Sequence, residues 1–266
     1  MLKSNEYYLD LANQTVAWLK NYAENCGRKA FVVGVSGGVD SALVSTLCGM
    51  AGLPTHCVIL PCQSKDTETL RGSLHINWLQ TWFGCWGNGI HSHIIDLTKT
   101  FETFSSEVEP YYGYDGLAYA NAKSRLRMVA LYHLATIHGG LVVGTGNKVE
   151  DGGVKFFTKY GDGGVDISPI ADYTKTEVRA TCRALGVLSE LSEAVPTDGL
   201  WEDARTDEGQ LGATYEELEW AMEWRETTVS ESSSLLTDRQ KEVLAIYDKW
   251  HNAGAHKMEP IPTFKR

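Results

Sequence analysis

Apolar positions along the chain change their period several times, and each change marks an element. Near the start, Tyr8, Leu11, Ala12, Leu19 and Tyr22, with Thr15 among them, recur at helical spacing and place one packed face on a helix over Tyr7 to Tyr22. Four short β-rich runs follow, AFVVGV, THCVIL, HSHIIDL and GLVVGTG, separated by segments of helical period. That alternation is the sequence form of repeated βα units, which build a parallel sheet covered on both faces. Ligands of such sheets bind at the carboxyl ends of the strands. A long helix starts near Asp115 and runs through NAKSRLRMVALYHLATIHG into the last strand. Beyond Asp166 the strands cease, and TKTEVRATCRALG, YEELEWAMEWRE and TDRQKEVLAIYDKWHNAG read as helices, the last capped by Thr237 or Asp238 and ended by Gly. The expectation is an α/β fold, a doubly wound parallel sheet with N- and C-terminal helices packed on it, in one domain over residues 1–266.

Composition narrows the function classes. With 266 residues, 43% of them hydrophobic, the chain can bury one sizeable core. A net charge of −10 disfavours a polyanionic partner, so no nucleic acid is expected. The six cysteines form no C-x-x-C pair, which points away from a disulfide framework or a zinc site and toward small buried residues in a reduced compartment. No signal-peptide core opens the chain and no apolar run approaches membrane-spanning length, so the expected location is cytoplasmic, with no membrane partner.

The chemistry begins after the first strand, in FVVGVSGGVDSALVSTL, Phe31 to Leu47. A Gly-rich turn between a strand and a helix N-terminus presents backbone N–H groups and the positive end of the helix dipole to an anion. SGGVDS is neither a Walker A loop nor a dinucleotide fingerprint, and it lacks the lysine that would offset phosphate charge. Asp40 fits such a loop as a ligand of Mg²⁺ bridging the phosphates. It also fits a plain Gly-Gly turn as the helix N-cap, and the loop alone does not choose.

Strand followed by SGG-x-DS resembles the signature of the ATP pyrophosphatase superfamily, whose members adenylate a substrate oxygen, release pyrophosphate and let a nitrogen or sulfur nucleophile displace AMP. Within it, GTGNKVEDGGVKFFTKYGDGGVDISPIADYTKTEVR, Gly144 to Arg179, closely resembles the central signature of the ammonia-dependent NAD synthetase family. NAKSRLRM, AVPTDGLW, TDEGQLGATYEEL and the late His-Lys of HNAGAHKMEPIP are similar to further family motifs, so the resemblance covers nearly the whole chain. It implies the adenine nucleotide α-hydrolase-like fold, a homodimer, and ATP-dependent amidation of nicotinic acid adenine dinucleotide (deamido-NAD). No glutamine-hydrolysing domain accompanies the motifs, which implies that ammonia is the nitrogen donor.

The resemblance also implies roles for residues. ATP falls to Gly34, Ser36, Gly37, Gly38, Asp40, Ser41, Thr145, Lys175 and Thr197, and Mg²⁺ to Asp40 and Glu150. Asp162 matches the carboxylate of the ammonia site, and Lys175 would stabilise the departing pyrophosphate. Deamido-NAD falls to Asn121, Arg125, Lys159, Asp166, His256 and Lys257, with Arg127 off to the side of its helix and the His-Lys pair acting as a lid. The mechanism implied is attack of the pyridine carboxylate on the α-phosphorus of ATP, then attack of ammonia on the mixed anhydride.

Some stretches depart from the family pattern. PCQSKDTETLRGSLHINWLQ carries Leu-Arg-Gly-Ser where an Asp-Ala is usual, which questions the adenine and ribose contacts, and P-T-A is P-T-D here, adding Asp198. His91 and His93, close to Trp82 and Trp86, form an H-x-H that reads as structural. Two rivals are weaker. A tRNA-thiolating enzyme would want a catalytic Cys pair and a basic surface, and a non-catalytic nucleotide-binding module has no need of Glu150, Asp162 and Lys175 together.

Overall fold

Four parallel strands in the order β3-β2-β1-β4 make the sheet of this computed structural model, which describes residues 3–193, 200–201, 206–227 and 236–265. They are β1 (Ala30–Gly34), β2 (Thr55–Ile59), β3 (Ile90–Ile94) and β4 (Gly140–Val143), the four runs read from the sequence. In register, Phe31 lies opposite Thr55 on one side and Leu141 on the other. The chain builds outward from β1 through β2 to β3 and then crosses back to β4, so the order reverses between β1 and β4. That gap between neighbouring strand ends is where an open α/β sheet opens a binding crevice.

Helices cover both faces, and strand alternation assigns residues to them. Phe31 and Val33 point into the cluster formed with α1 (Asn5–Asn25), α2 (Val39–Met50) and α6 (Lys175–Ala184), while Val32, Val58 and Val142 face α4 (Thr98–Tyr112) and α5 (Gly116–His138). β1, β2 and β4 are buried on both faces and read as nearly continuous apolar runs, whereas the edge strand β3, Ile-His-Ser-His-Ile, is half-exposed. Helix α1 extends the predicted span at both ends and turns Tyr8, Ala12, Thr15 and Leu19 inward. Behind β2 and β3, α3 (Asp66–Phe83) packs Ile76 and Leu79 against Cys57, Ile59 and Ile90.

Past β4 the chain turns through a π-helix, Lys148–Val154, that periodicity does not reveal. A short α7 (Ser189–Ser192) follows α6, and then α8 (Asp207–Leu211), α9 (Tyr215–Thr227), α10 (Asp238–Ala253) and α11 (Ala255–Met258). Val149 and Val154 of the π-helix are fully buried among Tyr215, Leu218, Met222, Val243 and Tyr247. This second core holds the segment after β4 in place from outside the sheet. Thr174 and Glu177 form a reciprocal capping box that fixes the start of α6, and Thr237 with Gln240 does the same for α10.

One buried polar contact ties two helices together and has a pH consequence. His75 of α3 is fully buried, its Nε2 lies 2.9 Å from Ser45 Oγ on α2, and its Nδ1 has no hydrogen-bond partner among the described residues. Burial pulls its pKa down from 6.5 to about 4, so the folded protein holds it neutral where the unfolded chain takes a proton. Its stabilising effect is present above the unfolded pKa and is lost as pH falls from about 6.5 toward 4. Urea unfolding of wild type and His75→Gln across that range is expected to diverge in slope, with wild type losing roughly 3 kcal/mol more than the variant. Parallel pH profiles would contradict a buried neutral imidazole.

Candidate active site

The loop leaving β1 is built for close approach. Gly37 has φ +85°, and a Cβ there would meet the Glu68 carbonyl oxygen at 2.7 Å, so only glycine fits between this loop and α3. Gly38 is the N-cap of α2 and supplies no side-chain acceptor, which excludes Asp40 as the cap. Ser36 and Ser41 brace the turn instead: their hydroxyls lie 3.1 Å apart, and Ser41 Oγ donates to Gly38 O at 3.0 Å. Gly38, Val39, Asp40 and Ser41 at the start of α2 line the cavity that opens here, and a helix N-terminus attracts anions. Arg71 Nε donates to Gly37 O at 3.1 Å, and Gly72 lets α3 sit against Ile59 and Val35. The unusual Leu-Arg-Gly-Ser stretch therefore supports the loop from behind, and Glu68, Thr69 and Arg71 line the cavity.

Opposite the loop, three charged groups meet. Lys175, the first residue of α6, is 2% exposed, and its Nζ lies 2.6 Å from Asp40 Oδ2 and 2.9 Å from Glu150 Oε1. Asp40 comes from α2 after β1, Glu150 from the π-helix after β4, and the lysine from the capping box of α6. Asn147 Nδ2 donates to Asp40 Oδ1 at 3.1 Å, and Tyr215 O–H donates to Glu150 Oε1 at 2.5 Å. One ammonium faces two carboxylates, so the charges do not cancel. Burial pushes the Asp40 carboxyl up, against the pull of Lys175 and with the help of Glu150. Burial acts on Glu150 in the same sense, but Lys175 and the Tyr215 hydroxyl outweigh it and hold that carboxyl low. Desolvation works against the Lys175 charge, yet Asp40 and Glu150 more than compensate and raise its pKa, so the lysine stays protonated.

A second acidic group lies on the far wall of the cavity. Asp162 Oδ1 accepts from Ser124 Oγ at 2.7 Å and from the Thr158 N–H at 3.0 Å. Asp162 is exposed to the cavity, and the protein atoms packed around its carboxyl nonetheless push that group up. Gly161 is required beside it, since a Cβ there would meet Ser124 Oγ at 2.2 Å. Asp151, one residue past Glu150, also lines the cavity, and burial together with Glu150, Asp162 and Asp40 pushes its pKa up to about 8.

The expected site residues fall into two groups. Gly34, Ser36, Gly38, Asp40, Ser41, Thr145, Glu150, Asp162 and Lys175 line one cavity, with Gly37 shaping its loop from behind. Thr197 and Asp198 lie outside the described residues. The remainder, Asp166 excepted, meet around the Lys155–Lys159 segment. Asn121 Oδ1 accepts from Thr158 Oγ1 at 2.6 Å, and Arg125 Nε donates to Lys159 O at 3.3 Å. Lys159 Nζ donates to His256 O at 2.6 Å, and Lys257 Nζ to Lys155 O and Phe157 O at 2.9 and 2.6 Å. The His-Lys tail is thus docked, its lysine within the field of Asp162 and Asp151. Asp166 is set apart: its carboxylate accepts from the Val142 N–H at 2.8 Å and from Tyr132 O–H at 3.1 Å, at the side of β4.

Sequence reasoning set Arg127 aside, yet it lines the cavity, with Nε 3.1 Å from Leu60 O and Nη2 3.0 Å from Ser64 Oγ. The spacing of Ser124, Arg127, Met128 and Leu131 marks the inner stripe of α5 and would have found it. Tyr215 and Asp207 were also missed, although both lie in TDEGQLGATYEEL; Tyr215 O–H reaches Asp207 Oδ2 at 3.3 Å as well as Glu150.

An open α/β sheet with a glycine-rich loop at its switch point, faced by two carboxylates around a buried lysine, defines the class as a nucleotide-handling enzyme. The family model for NAD synthase matches residues 11–261, and the chain belongs to that family. It is 34% identical over 259 residues to the NH(3)-dependent NAD(+) synthetase of Alkaliphilus oremlandii, covering 94% of this chain and 95% of that one. Among solved structures, the NMN synthetase of Francisella tularensis superposes with a TM-score of 0.84 at 28% identity over 100% of both chains. The NH3-dependent NAD synthetase of Campylobacter jejuni does so at 0.77 and 20% identity, over 97% of this chain and 99% of that one.

Because Lys175 is the sole ammonium between Asp40 and Glu150 among the described residues, removing it leaves two half-buried carboxylates facing each other unpaired. Lys175→Met is expected to cost about 3–5 kcal/mol in urea unfolding without divalent cation, and Lys175→Arg much less. A loss below about 1 kcal/mol for the Met variant would show that the cluster is not a closed ion pair.

Proposed function

We propose that this chain is an ammonia-dependent ligase that amidates the pyridine carboxylate of a nicotinic acid nucleotide, with ATP split to AMP and pyrophosphate. The observation that carries the reading is the Asp40–Lys175–Glu150 cluster facing the Ser-Gly-Gly loop across one cavity. The loop N–H groups and the α2 dipole hold phosphate. Lys175, fixed by both carboxylates, carries a positive charge toward the oxygens of the departing pyrophosphate. Asp40 and Glu150 fit Mg²⁺: they are hard oxygen donors on one cavity wall, and a single ammonium leaves one of their two charges uncompensated. Mg²⁺ held there would neutralise phosphate charge during adenylation.

The substrate carboxylate attacks the α-phosphorus, its oxygen staying with AMP, and ammonia then attacks the activated carbonyl. Asp162 is the group for that second step. Ser124 and Thr158 fix it through Oδ1, leaving Oδ2 without a protein donor among the described residues, free to accept from ammonium and hold it as a proton leaves. On the substrate side, Asn121, Arg125, Lys159, Asp166, His256 and Lys257 remain the proposed contacts, and Thr197 a phosphate contact. Deamido-NAD is the substrate we infer from the Alkaliphilus relative.

A second reading, with the nicotinic acid mononucleotide as substrate, is favoured by the full-length superposition on the Francisella NMN synthetase. It is also favoured by Asn121 and Arg125, whose side chains are committed to Thr158 and Lys159. Supplying the purified protein with ATP, Mg²⁺, ammonium and either substrate decides between them. The first reading predicts a kcat/KM for the dinucleotide at least tenfold above that for the mononucleotide, and the reverse ratio selects the second. Neither amide, from folded protein, would defeat both.

Glu150→Ala is expected to lower pyrophosphate release by roughly 10²-fold or more while the pyridine nucleotide still binds. Asp162→Asn should retain adenylation and lose amide formation, a split seen by trapping the adenylate without ammonium. Equal loss of both steps would move Asp162 to the first.

We also propose a homodimer. Helix α1 spends its inner face on the core, leaving Trp18 and Tyr22 as a small outer pair. The broader apolar surface is on α4 and α5, where Tyr111, Tyr112, Val129 and Ile137 are more than half exposed. No helix of the described residues is long and apolar enough to cross a membrane. Sedimentation should give a dimer for wild type and a monomer for Val129→Glu; a dimer unchanged by that substitution would place the contact elsewhere.

A further inference from the structure

At the opposite end of the sheet from the ATP cavity, four imidazoles meet that no step of the reaction uses. His56 is the second residue of β2 and pairs in register with His91 of β3, while His93 pairs with Val58. The pleat therefore puts His56, His91 and His93 on the α5 face. His138, the last residue of α5, closes the group from above, its ring 3.7 Å from that of His56 and stacked on it. One nitrogen of each of His56, His93 and His138 lies within 4.8 Å of the others. His56 Nδ1 and His93 Nε2 are 2.9 Å apart, and among the described residues His138 takes no protein hydrogen bond. His91 is committed elsewhere, with Nε2 3.0 Å from Gly87 O.

We propose that His56, His93 and His138 form a second metal site, for a transition-metal dication of the Zn²⁺ class, that clips edge strand β3 and β2 to the C-terminus of α5. Three imidazoles without a carboxylate among them select Zn²⁺, Ni²⁺ or Cu²⁺ and reject Mg²⁺, so the site is chemically separate from the ATP cavity. Nitrogen ligands about 2.0–2.1 Å from a tetrahedral ion are about 3.4 Å from each other. The cluster needs to contract by up to about 1.4 Å at its widest, a shift left to the two partly exposed rings of His93 and His138 around the buried His56. Burial keeps His56 neutral, its pKa pulled down to about 4, and neutral imidazole is the ligating form. The C-terminal end of the 23-residue helix α5 adds the negative end of its dipole beside the ion. The fourth position falls to water.

The test titrates chelator-stripped full-length protein with Zn²⁺ against a chromophoric chelator, in excess Mg²⁺ and without nucleotide, with thermal unfolding in parallel. The expected result is one Zn²⁺ per chain and a rise in Tm of several degrees at saturation. His138→Asn and His93→Gln, at partly exposed positions that tolerate substitution, should each weaken binding at least tenfold and abolish the Tm rise, whereas Asp40→Asn should leave both unchanged. Stoichiometric Zn²⁺ bound equally well by His138→Asn and His93→Gln, or no stoichiometric binding by wild type, would overturn the proposal. So would an X-ray absorption spectrum of the wild-type complex lacking imidazole scattering.

Discussion

A buried ammonium between two carboxylates is the interaction on which the site depends. Taking Lys175, Asp40 and Glu150 out of water is costly, and their mutual attraction compensates only because both carboxylates are further hydrogen-bonded. Asn147 serves Asp40, and Tyr215 serves Glu150. The cluster still carries an excess negative charge, which makes it receptive to a divalent cation and leaves Lys175 locked in its charged form. Stability and chemistry therefore rest on the same three side chains, drawn from segments that only the sheet's strand order brings together.

The rest of the fold can be understood as holding those segments in place. The reversal between β1 and β4 sets Asp40 and the π-helix side by side. Glycines at 37 and 72 let α3 press against the phosphate loop. The second core, between the π-helix, α9 and α10, positions Tyr215 at Glu150 from outside the sheet. Ser124 on α5 then holds Asp162 across the cavity from the Asp40–Lys175–Glu150 cluster, so both acidic groups face one space.

Much of this was legible in the sequence, for physical reasons that differ by element. β1, β2 and β4 were readable because burial on both faces leaves apolar runs, and the capped helices because Thr174, Thr237 and Asp115 announce their starts. Asp40, Glu150 and Lys175 were found by ordered motifs, and Asp40 and Glu150 were expected side by side at neighbouring strand ends, but the ammonium of Lys175 between them was not, because a contact of residue 175 with residues 40 and 150 leaves no local trace. The π-helix has no side-chain period of its own to read. Arg127 was set aside because a four-residue spacing picked Asn121 and Arg125, whereas the cavity takes the neighbouring stripe of α5. The H-x-H of β3 looked structural for the same reason: only the register with β2 shows that His56 faces it.

The central claim is that this cavity transfers AMP to a carboxylate and then exchanges it for ammonia. Supplying a pyridine nucleotide whose carboxylate carries ¹⁸O, with ATP, Mg²⁺ and ammonium, tests it most directly by mass spectrometry of the products. The account predicts one labelled oxygen in AMP for each amide formed, with none in pyrophosphate. Unlabelled AMP, or label in pyrophosphate or inorganic phosphate, would show that the carboxylate is not adenylated and would contradict the account.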